Sequence, residues 1–356
     1  MDYLFRASIA VFAGCLAAGC SQPQAPAAES QAPSPVADAG PRLYVTNEIS
    51  GDVSVIGVAS QRVIATIPVG KRPRGIRLSP DGSTLYVALS GSPIAGPGVD
   101  ESKLPPADKK ADGIGVIDVK QGRLLKVLPS GSDPEQMAVS PDGRWLVVAN
   151  EDAGQASIVD IEKGTIAEGI PVGGEPEGVD LHPDGNTVYV TSEDDGEVIV
   201  IDLAQRKVVT KITVGPRPRS TAFLPDGSRA YVTSENGGSV AVVDAKAHKV
   251  LQTLDLSTLG QLIRPMGAIA SRDGTRVFVT TGRGKQVVIL DAAANTVVGT
   301  VEAGDRPWGL DVSPDGSTLF TANGTSNDVA IIDVATRAVK ARVKVGERPW
   351  GVVYVP

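Results

Sequence analysis

Cysteine and histidine are scarce in the sequence. The two cysteines, Cys15 and Cys20, both lie in the first 20 residues, so the rest of the chain has no disulfide, cysteine nucleophile or thiolate metal site. The two histidines, His182 and His248, fall in turn sequences of different repeats. We expect both to be exposed and neither to act as a catalytic base or metal ligand. No metal site and no cofactor is therefore predicted.

Basic charge and aromatic residues are also in short supply. The net charge is −7, which argues against a general basic surface for duplex nucleic acid or an anionic membrane. Phe, Trp and Tyr together make up 4% of the chain. No stretch has a sustained helical apolar period, and the G-x-S-x-G, P-loop and dinucleotide-binding motifs are absent. These absences disfavour a helical solenoid and the enzyme classes that those motifs mark.

The first 20 residues have the pattern of a bacterial export signal. Arg6 supplies the positive charge, residues 7–18 form a short apolar stretch, and small residues precede Cys20. The run LAAGC resembles a lipobox, in which the cysteine is lipidated after cleavage; a plain secretory peptide is the alternative. Residues 21–40, rich in Pro, Ala, Ser and Gln, are predicted to be a disordered tether. We expect an exported protein, lipid-anchored in the envelope on the periplasmic or outer surface side, without other membrane contact.

One stretch, residues 176–217, contains the repeating unit of the chain. It has four segments rich in Val, Ile, Tyr and Thr, separated by turn sequences such as HPDG and DDG. The segments are residues 178–181, 187–191, 197–203 and 207–214. Residues 198–201 are apolar without alternation, which indicates a sheet covered on both faces. The unit is therefore predicted to be a four-stranded antiparallel sheet that packs between copies of itself.

PDG-type turns mark six copies of this unit, and a seventh copy is divided between the ends of the domain. The marker aspartates are spaced by 61, 42, 42, 47 and 42 residues: Asp81, Asp142, Asp184, Asp226, Asp273 and Asp315. The copy at residues 44–47 lacks a first strand, whereas residues 349–356 form a first strand with nothing after it. We predict that this strand completes the N-terminal sheet and closes residues 41–356 into an all-β, seven-bladed β-propeller.

Short motifs in these copies resemble those of a known family. The literal YVTN at residues 44–47, its variants, and the repeated P-x-G and PDG elements are similar to the YVTN-repeat β-propeller proteins across nearly all of residues 41–356. Segments such as GSDPEQMAVSPDG and PVGGEPEGV most resemble the subgroup associated with PQQ-dependent catabolism. The resemblance implies a propeller, export and a non-enzymatic role. It implies a companion of quinoproteins, so PQQ binding by this chain itself is not expected.

The connections into the first strands are expected to surround one mouth of the central channel. Most residues on either side of the first-strand proline are charged or tryptophan. The candidate ligand-binding residues are Arg72, Arg74, Glu135, Glu177, Arg217, Arg219, Arg264, Arg306, Trp308, Arg348 and Trp350. Guanidinium groups hold carboxylate or phosphate in a bidentate manner, and tryptophan can stack a ligand. We predict a monomeric binding or scaffold module that recognises a protein partner or small anionic ligand here.

Three alternatives stay open for this face. The arginines could instead pair with acids of neighbouring loops, with the tryptophans sealing the ring closure; these acids are Glu48, Glu151, Glu193 and Glu235. A lactonase-like or quinoprotein-accessory enzyme would use Glu135, Glu177 and the arginines, which is an analogy at the level of fold. Arginine with tryptophan could also grip single-stranded nucleic acid.

A long insertion sets the second copy apart. Residues 90–112 exceed the repeat length and should emerge on the face that carries the candidate residues. They are predicted to form either a lid or docking arm, or a tolerated surface loop. Acidic turns at residues 151–152 and 193–196 could bind calcium, but they lack EF-hand spacing, and ordinary solvated turns are the preferred explanation.

Overall fold

The computed structural model describes residues 40–94 and 103–356. The predicted signal peptide with Cys20 and the tether up to residue 39 lie outside the described residues, as do residues 95–102 of the insertion. No helix in the described part is long and apolar enough to cross a membrane. Its regular structure is 28 strands and a few short 3-10 turns, at Lys109–Ala111, Glu151–Ala153, Ser257–Leu259 and Gly282–Gly284.

The strands form seven antiparallel sheets, or blades, of four strands each. From first to fourth strand, blade 1 contains β28 (Pro349–Val355), β1 (Arg42–Asn47), β2 (Asp52–Gly57) and β3 (Arg62–Pro68); blade 2 contains β4 (Pro73–Leu78), β5 (Thr84–Leu89), β6 (Gly113–Asp118) and β7 (Arg123–Leu128); blade 3 contains β8 (Pro134–Val139), β9 (Trp145–Asn150), β10 (Gln155–Asp160) and β11 (Thr165–Pro171).

The other four blades repeat this order. Blade 4 contains β12 (Pro176–Leu181), β13 (Thr187–Ser192), β14 (Glu197–Asp202) and β15 (Lys207–Thr213); blade 5 contains β16 (Pro218–Phe223), β17 (Arg229–Ser234), β18 (Ser239–Asp244) and β19 (Lys249–Asp255); blade 6 contains β20 (Ala268–Ala270), β21 (Arg276–Thr280), β22 (Gln286–Asp291) and β23 (Thr296–Glu302); blade 7 contains β24 (Pro307–Val312), β25 (Thr318–Asn323), β26 (Asp328–Asp333) and β27 (Ala338–Lys344).

The first strands contact one another in sequence around a central axis, and β28 closes the circle. It lies between β24 of blade 7 and β4 of blade 2, and it pairs with β1 in an antiparallel register that joins Tyr44 to Val353. The predicted all-β, seven-bladed β-propeller, closed by the C-terminal strand, is confirmed. Closure gives every blade a neighbour on both faces, so no apolar sheet face is left uncovered, and the edge of each first strand lies at the central axis.

The core is divided into seven apolar clusters, one between each pair of adjacent blades. Six of the clusters contain an aromatic residue from the same position of a second strand: Tyr44, Tyr86, Tyr189, Tyr231, Phe278 and Phe320. Burial of one such ring contributes roughly 1.5–3 kcal/mol, so the repeated aromatic position accounts for much of the cohesion between blades.

Close backbone packing at the axis explains the glycines of the first strands. A Cβ at Gly309 would lie 2.6 Å from the Trp350 carbonyl oxygen, and one at Gly178 would lie 2.5 Å from that of Arg219. Neighbouring first strands therefore touch backbone to backbone just below the channel mouth. This contact fixes the residues on either side of each first-strand proline in a narrow circle.

The two histidines lie in turns, but the expectation that both are exposed is wrong. His182 is half-buried, and its Nε2 lies 2.8 Å from the carbonyl oxygen of Gly227 in the next blade. His248 is also half-buried, with Nδ1 2.8 Å from the Tyr189 hydroxyl. Both rings join adjacent blades because the turns of neighbouring blades converge on this face.

Candidate functional site

A cavity of about 920 Å³, here called the cup, occupies the channel mouth. All eleven residues predicted as ligand-binding candidates line it. Two circles of side chains form it: the pre-proline ring, Arg72, Asp133, Glu175, Arg217, Arg264, Arg306 and Arg348, and the post-proline ring, Arg74, Glu135, Glu177, Arg219, Met266, Trp308 and Trp350. The residue four positions after the third residue of each second strand, here called the loop position, flanks them: Glu48, Ser90, Glu151, Glu193, Glu235, Gly282 and Gly324.

The pre-proline ring has one backbone geometry whatever its side chains. Its residues have φ between 40° and 58° in every blade except blade 6, where Arg264 follows a longer connection. In blades 1, 3, 4, 5 and 7 their carbonyl oxygens accept hydrogen bonds from the loop position, as from Glu193 N to Glu175 O at 3.1 Å and from Gly324 N to Arg306 O at 3.0 Å. The left-handed conformation costs about 1–2 kcal/mol per residue and is imposed by the surrounding turn. The place of a residue in the pre-proline ring therefore determines which loop-position side chains it can contact.

Arg74 neutralises the acidic side of the post-proline ring. Its guanidinium donates to Asp133 and Glu135, and it lies 3.6 Å from Glu151. The three carboxylates are close enough together to hold a metal ion, but the buried guanidinium already lies among them. Burial would raise the pKa of Asp133, and the charge of Arg74 lowers it instead. This cluster is internally paired and offers no free charge.

Arg219 has the same role three blades away, in blade 5. It is buried, donates to Glu193, and lies 2.6 Å from Glu177. Burial and the negative charge of Glu193 raise the pKa of Glu177 well above its usual range, while Arg219 outweighs burial and lowers the pKa of Glu193. One buried guanidinium thus lies beside two carboxyl groups whose pKa values shift in opposite directions.

Other arginines of the pre-proline ring pair with loop-position acids. Glu48 lies 3.0 Å from both Arg72 and Arg348, across the boundary between blades 1 and 2. Arg217 lies 2.8 Å from Glu193 and 3.2 Å from Glu235. The interpretation that arginines pair with neighbouring loop acids thus describes five of the seven candidate arginines.

Arg306 differs from these arginines because it is not paired with a loop-position acid. Among the described residues no carboxylate lies within 4.0 Å of its guanidinium, and no hydrogen bond from it is found. The reason is local: the loop positions of its own and the preceding blade are Gly324 and Gly282, where blades 1, 3, 4 and 5 have glutamate. Burial and the charge of Arg348 lower the pKa of Arg306. Arg264 also lacks a carboxylate partner within the described chain, but its guanidinium donates to the Glu235 carbonyl oxygen at 3.3 Å.

The tryptophans form part of the floor of the cup. Their ring centroids are 5.3 Å apart, and Trp350 is only 4% exposed. The guanidiniums of Arg219 and Arg306 both lie over Trp308, at 5.4 and 5.1 Å from the ring centroid. Trp350 is therefore closed to a ligand, whereas Trp308 is half-buried and lines the cup, so stacking of a ligand on Trp308 stays a prediction. The two tryptophans seal the closure between blades 7 and 1, above voids of only about 20 and 50 Å³.

Glu175 is a candidate that sequence reasoning left out of the site. It occupies a pre-proline position, and the loop positions on its two sides are Glu151 and Glu193. No cation lies within 4.0 Å of its carboxylate among the described residues. Burial and the negative charges of Glu193, Asp194 and Glu151 raise its pKa to about 7. The signal was present in the sequence: an acid replaces arginine where both neighbouring loop positions are also acidic.

Arg283 is a second residue that was missed. It lines the cup from the turn after β21, one residue beyond the glycine at the loop position of blade 6. It adds a positive charge on the side of Arg264 and Arg306. Arg283 comes one residue after the loop position, where other blades carry an acid. In the sequence, only the different turn at Gly282–Gly284 could have indicated that Arg283 lines the cup.

The described ends of the insertion form an apolar wall of the cup. Residues lining the cup from this segment include Pro93, Ile94, Leu104 and Pro105. The Arg72 guanidinium donates to the Ser92 carbonyl oxygen at 2.7 Å, and Lys109 pairs with Asp152 of blade 3. The segment is therefore fastened to the ring on the face predicted for it. Whether it moves as a lid stays a prediction.

The raised carboxyl pKa values lead to a pH dependence of stability. Glu175, with a pKa of about 7, and Glu151, Asp180 and Asp311, each with a pKa of about 6 raised by burial, hold protons more tightly in the folded than in the unfolded chain. Their contribution to stability is therefore complete below about pH 4.5 and is lost as pH rises through 6 to 7.

We expect Glu175→Gln to melt about 1–2 °C above the wild type at pH 8 and with no such gain at pH 5, because glutamine cannot ionise. Thermal unfolding at both pH values measures this. Glu162→Gln, an exposed acid in the turn between β10 and β11, is the matched control and should melt as the wild type does. A Glu175→Gln curve that parallels the wild type at every pH would contradict the assignment.

Comparison with known proteins supports the architecture. A family model described as YNCE-like beta-propeller matches residues 107–229, and one described as Lactonase, 7-bladed beta-propeller matches residues 179–348. Antigen Lp49 of Leptospira interrogans serogroup Icterohaemorrhagiae serovar copenhageni is 29% identical over 109 residues, which is 31% of this chain. The chain spans about a quarter of the length of that relative, 23%.

Solved structures with this fold come from diverse bacteria. Hydrazine synthase of Kuenenia stuttgartiensis is similar with a TM-score of 0.66 at 22% identity, covering 78% of this chain and 88% of that one. A candidate 6-phosphogluconolactonase of Bacteroides fragilis has a TM-score of 0.71 at 19% identity, covering 93% and 100%. A protein of unknown function from Desulfotomaculum acetoxidans has a TM-score of 0.71 at 16% identity, covering 88% and 98%. These likenesses and the two family models agree on one conclusion: the chain is a seven-bladed β-propeller.

Proposed function

We propose that this propeller is a non-enzymatic binding module whose cup takes the carboxylate or phosphate group of a small ligand at Arg306. The observation that carries the proposal is that Arg306 has no carboxylate within 4.0 Å in the described chain, whereas Arg72, Arg217 and Arg348 each have one within 3.2 Å. A half-buried guanidinium without a counter-charge is unfavourable, and an anionic ligand removes that cost.

The geometry around Arg306 suits an anion. Trp308 lies beneath the guanidinium and restricts its rotation, so less entropy is lost when a ligand binds. Arg264 and Arg283 line the same side of the cup and add positive potential. A planar guanidinium can then meet a carboxylate or phosphate with two parallel hydrogen bonds.

The opposite wall indicates what else the ligand contains. Ile94, Leu104, Pro105 and Pro106 present apolar surface to the cup. A ligand with a short apolar body attached to its anionic group would cover this surface and gain from its burial. An acidic side chain of a protein partner could use the same contacts, and binding of free small anions distinguishes the two.

We expect Arg306→Gln to bind succinate or inorganic phosphate about tenfold to a hundredfold more weakly than the wild type, since charge-assisted hydrogen bonds contribute about 1.5–3 kcal/mol. Isothermal titration calorimetry at low salt measures this. Arg123→Gln, an exposed arginine of β7, is the control and should bind as the wild type does. Equal affinity of the Arg306 and Arg123 variants would refute the assignment of Arg306.

Lactone hydrolysis is a second candidate, favoured by the lactonase family model and by Glu175. Sequence reasoning assigned this chemistry to Glu135 and Glu177, but these carboxyl groups are bound to Arg74 and Arg219. Glu175 is unpaired among the described residues and has a pKa of about 7, which suits a general base near neutral pH. It would take a proton from the water that attacks the lactone carbonyl. Collapse of the tetrahedral intermediate would then break the ring C–O bond, and the carboxyl group of Glu175 would return the proton to the leaving oxygen.

The test is release of acid from glucono-δ-lactone and its phosphorylated form, followed above the spontaneous rate. If the protein is a lactonase, Glu175→Gln should lower the rate by about 100-fold or more. A wild-type protein without rate enhancement on either lactone would reject this candidate, and full activity of Glu175→Gln would reject the role of Glu175.

Location and pathway are also proposals. We propose that the protein is exported and anchored through lipidated Cys20, and that it serves a PQQ-dependent pathway as a YVTN-repeat propeller; the motifs quoted above support both. Loss of membrane association in Cys20→Ser would test the anchor.

Single-stranded nucleic acid is not proposed, because stacking of bases needs an open aromatic face and Trp350 is buried.

A further inference from the structure

Two unpaired charges of opposite sign face each other across the cup. Glu175 and Arg306 occupy equivalent pre-proline positions in blades 4 and 7, three blades apart in a ring of seven. Both line the cavity, both are half-buried, and neither has an oppositely charged side chain within 4.0 Å among the described residues. The remaining pre-proline residues, apart from Arg264, are ion-paired.

Glu175 and Arg306 are here called the negative and the positive pole of the cup. The residues around each pole strengthen its charge. Acids at both adjacent loop positions, Glu151 and Glu193, make the Glu175 side more negative, whereas the two loop positions beside Arg306 are Gly282 and Gly324, which carry no charge. Burial and neighbouring like charges disfavour the charged form of each group, raising the pKa of Glu175 and lowering that of Arg306. Among the described residues, neither group has an ion-pair partner of opposite charge.

A side groove extends the negative pole. A second cavity of about 530 Å³, between blades 4 and 5, is lined by four acids, Glu175, Glu193, Asp194 and Asp195, and by one cation, Arg217. Glu175 lines this groove and the cup alike, so a cationic group that enters from the cup has room beyond the carboxylate. The apolar side chains of the insertion, such as Ile94 and Leu104, line the same cup as the two charged groups.

We propose that the ligand of the cup is dipolar: an anionic group bound at Arg306 and an ammonium or amidinium group bound at Glu175, joined by a short apolar chain. This inference rests on the proposed function, since it uses the same anion site. It adds a second contact and a ligand class, the ω-amino acids and similar zwitterions. The anionic end of such a molecule would pair with Arg306 and the cationic end with Glu175.

Two other readings of the negative pole are weaker. A divalent cation would need several converging carboxylates, and the group that comes closest, Asp133 with Glu135 and Glu151, is filled by Arg74. An ion pair between Glu175 and Arg217 would neutralise the pole, but Arg217 is within 3.2 Å of two other glutamates instead.

Matched probes of one chain length separate the possibilities. Succinate, γ-aminobutyrate and putrescine share a four-carbon backbone and differ only in the charge of their ends; adipate, ε-aminocaproate and hexamethylenediamine form a six-carbon set. Calorimetry with the wild-type protein should show the amino acid of at least one set binding about tenfold tighter than both its diacid and its diamine, because a second charge-assisted contact contributes about that much.

Variants assign the two ends. Glu175→Gln should weaken binding of the amino acid about tenfold and leave the diacid unchanged or tighter, while Arg306→Gln should weaken the amino acid and the diacid but not the diamine. Glu162→Gln, an exposed acid outside the cup, is the control. Thermal unfolding of each variant shows whether it is folded before binding is compared.

The contradicting outcomes are distinct. If diacids bind and lose affinity in Arg306→Gln, but amino acids bind no tighter, the proposed function stands and the dipolar ligand is refuted. If calcium, rather than the amino acid, loses affinity in Glu175→Gln, the negative pole is a metal site and the dipolar ligand is again refuted. If no member of either set binds the wild type, both proposals fail.

Discussion

Charged side chains around the axis of a closed propeller must find partners in a confined space. The first strands touch backbone to backbone, as at Gly309 and Trp350, so seven pairs of ring residues are crowded above them. In such a site an unpaired charge loses hydration without gaining a counter-charge. The structure meets this constraint almost everywhere by its own ion pairs. The proposed function follows from Arg306 and Glu175, whose charged groups have no such ion pair among the described residues.

The buried pairs make the floor of the cup a structural layer. Arg74 and Arg219, each 7% exposed or less, hold acids from neighbouring blades together around the axis. Removal of one partner would leave a buried charge, so these residues stabilise the ring rather than bind ligands. Ligand contacts are left to the pre-proline ring above and to the insertion, which supplies apolar surface that the regular blades lack.

Much of this architecture could be predicted from the sequence. The PDG spacing and the unpaired first strand at Pro349 predict seven blades and their closure, because both are local signals repeated along the chain. The pairing of Arg219 with Glu177 could not be assigned, since several arginines and acids share one circle and only coordinates show which meet. The sequence did contain a signal for Arg306 that was not used. Glycine stands at the loop positions Gly282 and Gly324, where a glutamate could have paired with Arg306. The covered faces of the tryptophans depend on side-chain packing and had no signal of their own.

The central claim is that Arg306, unlike the buried arginines below it, is open to an anion. Anomalous diffraction from crystals soaked in selenate, a tetrahedral dianion, tests it directly. The account predicts a selenium peak within hydrogen-bond distance of Arg306, above Trp308, and none at Arg74 or Arg219. Selenium peaks confined to exposed surface arginines such as Arg123, with none in the cup, would contradict it.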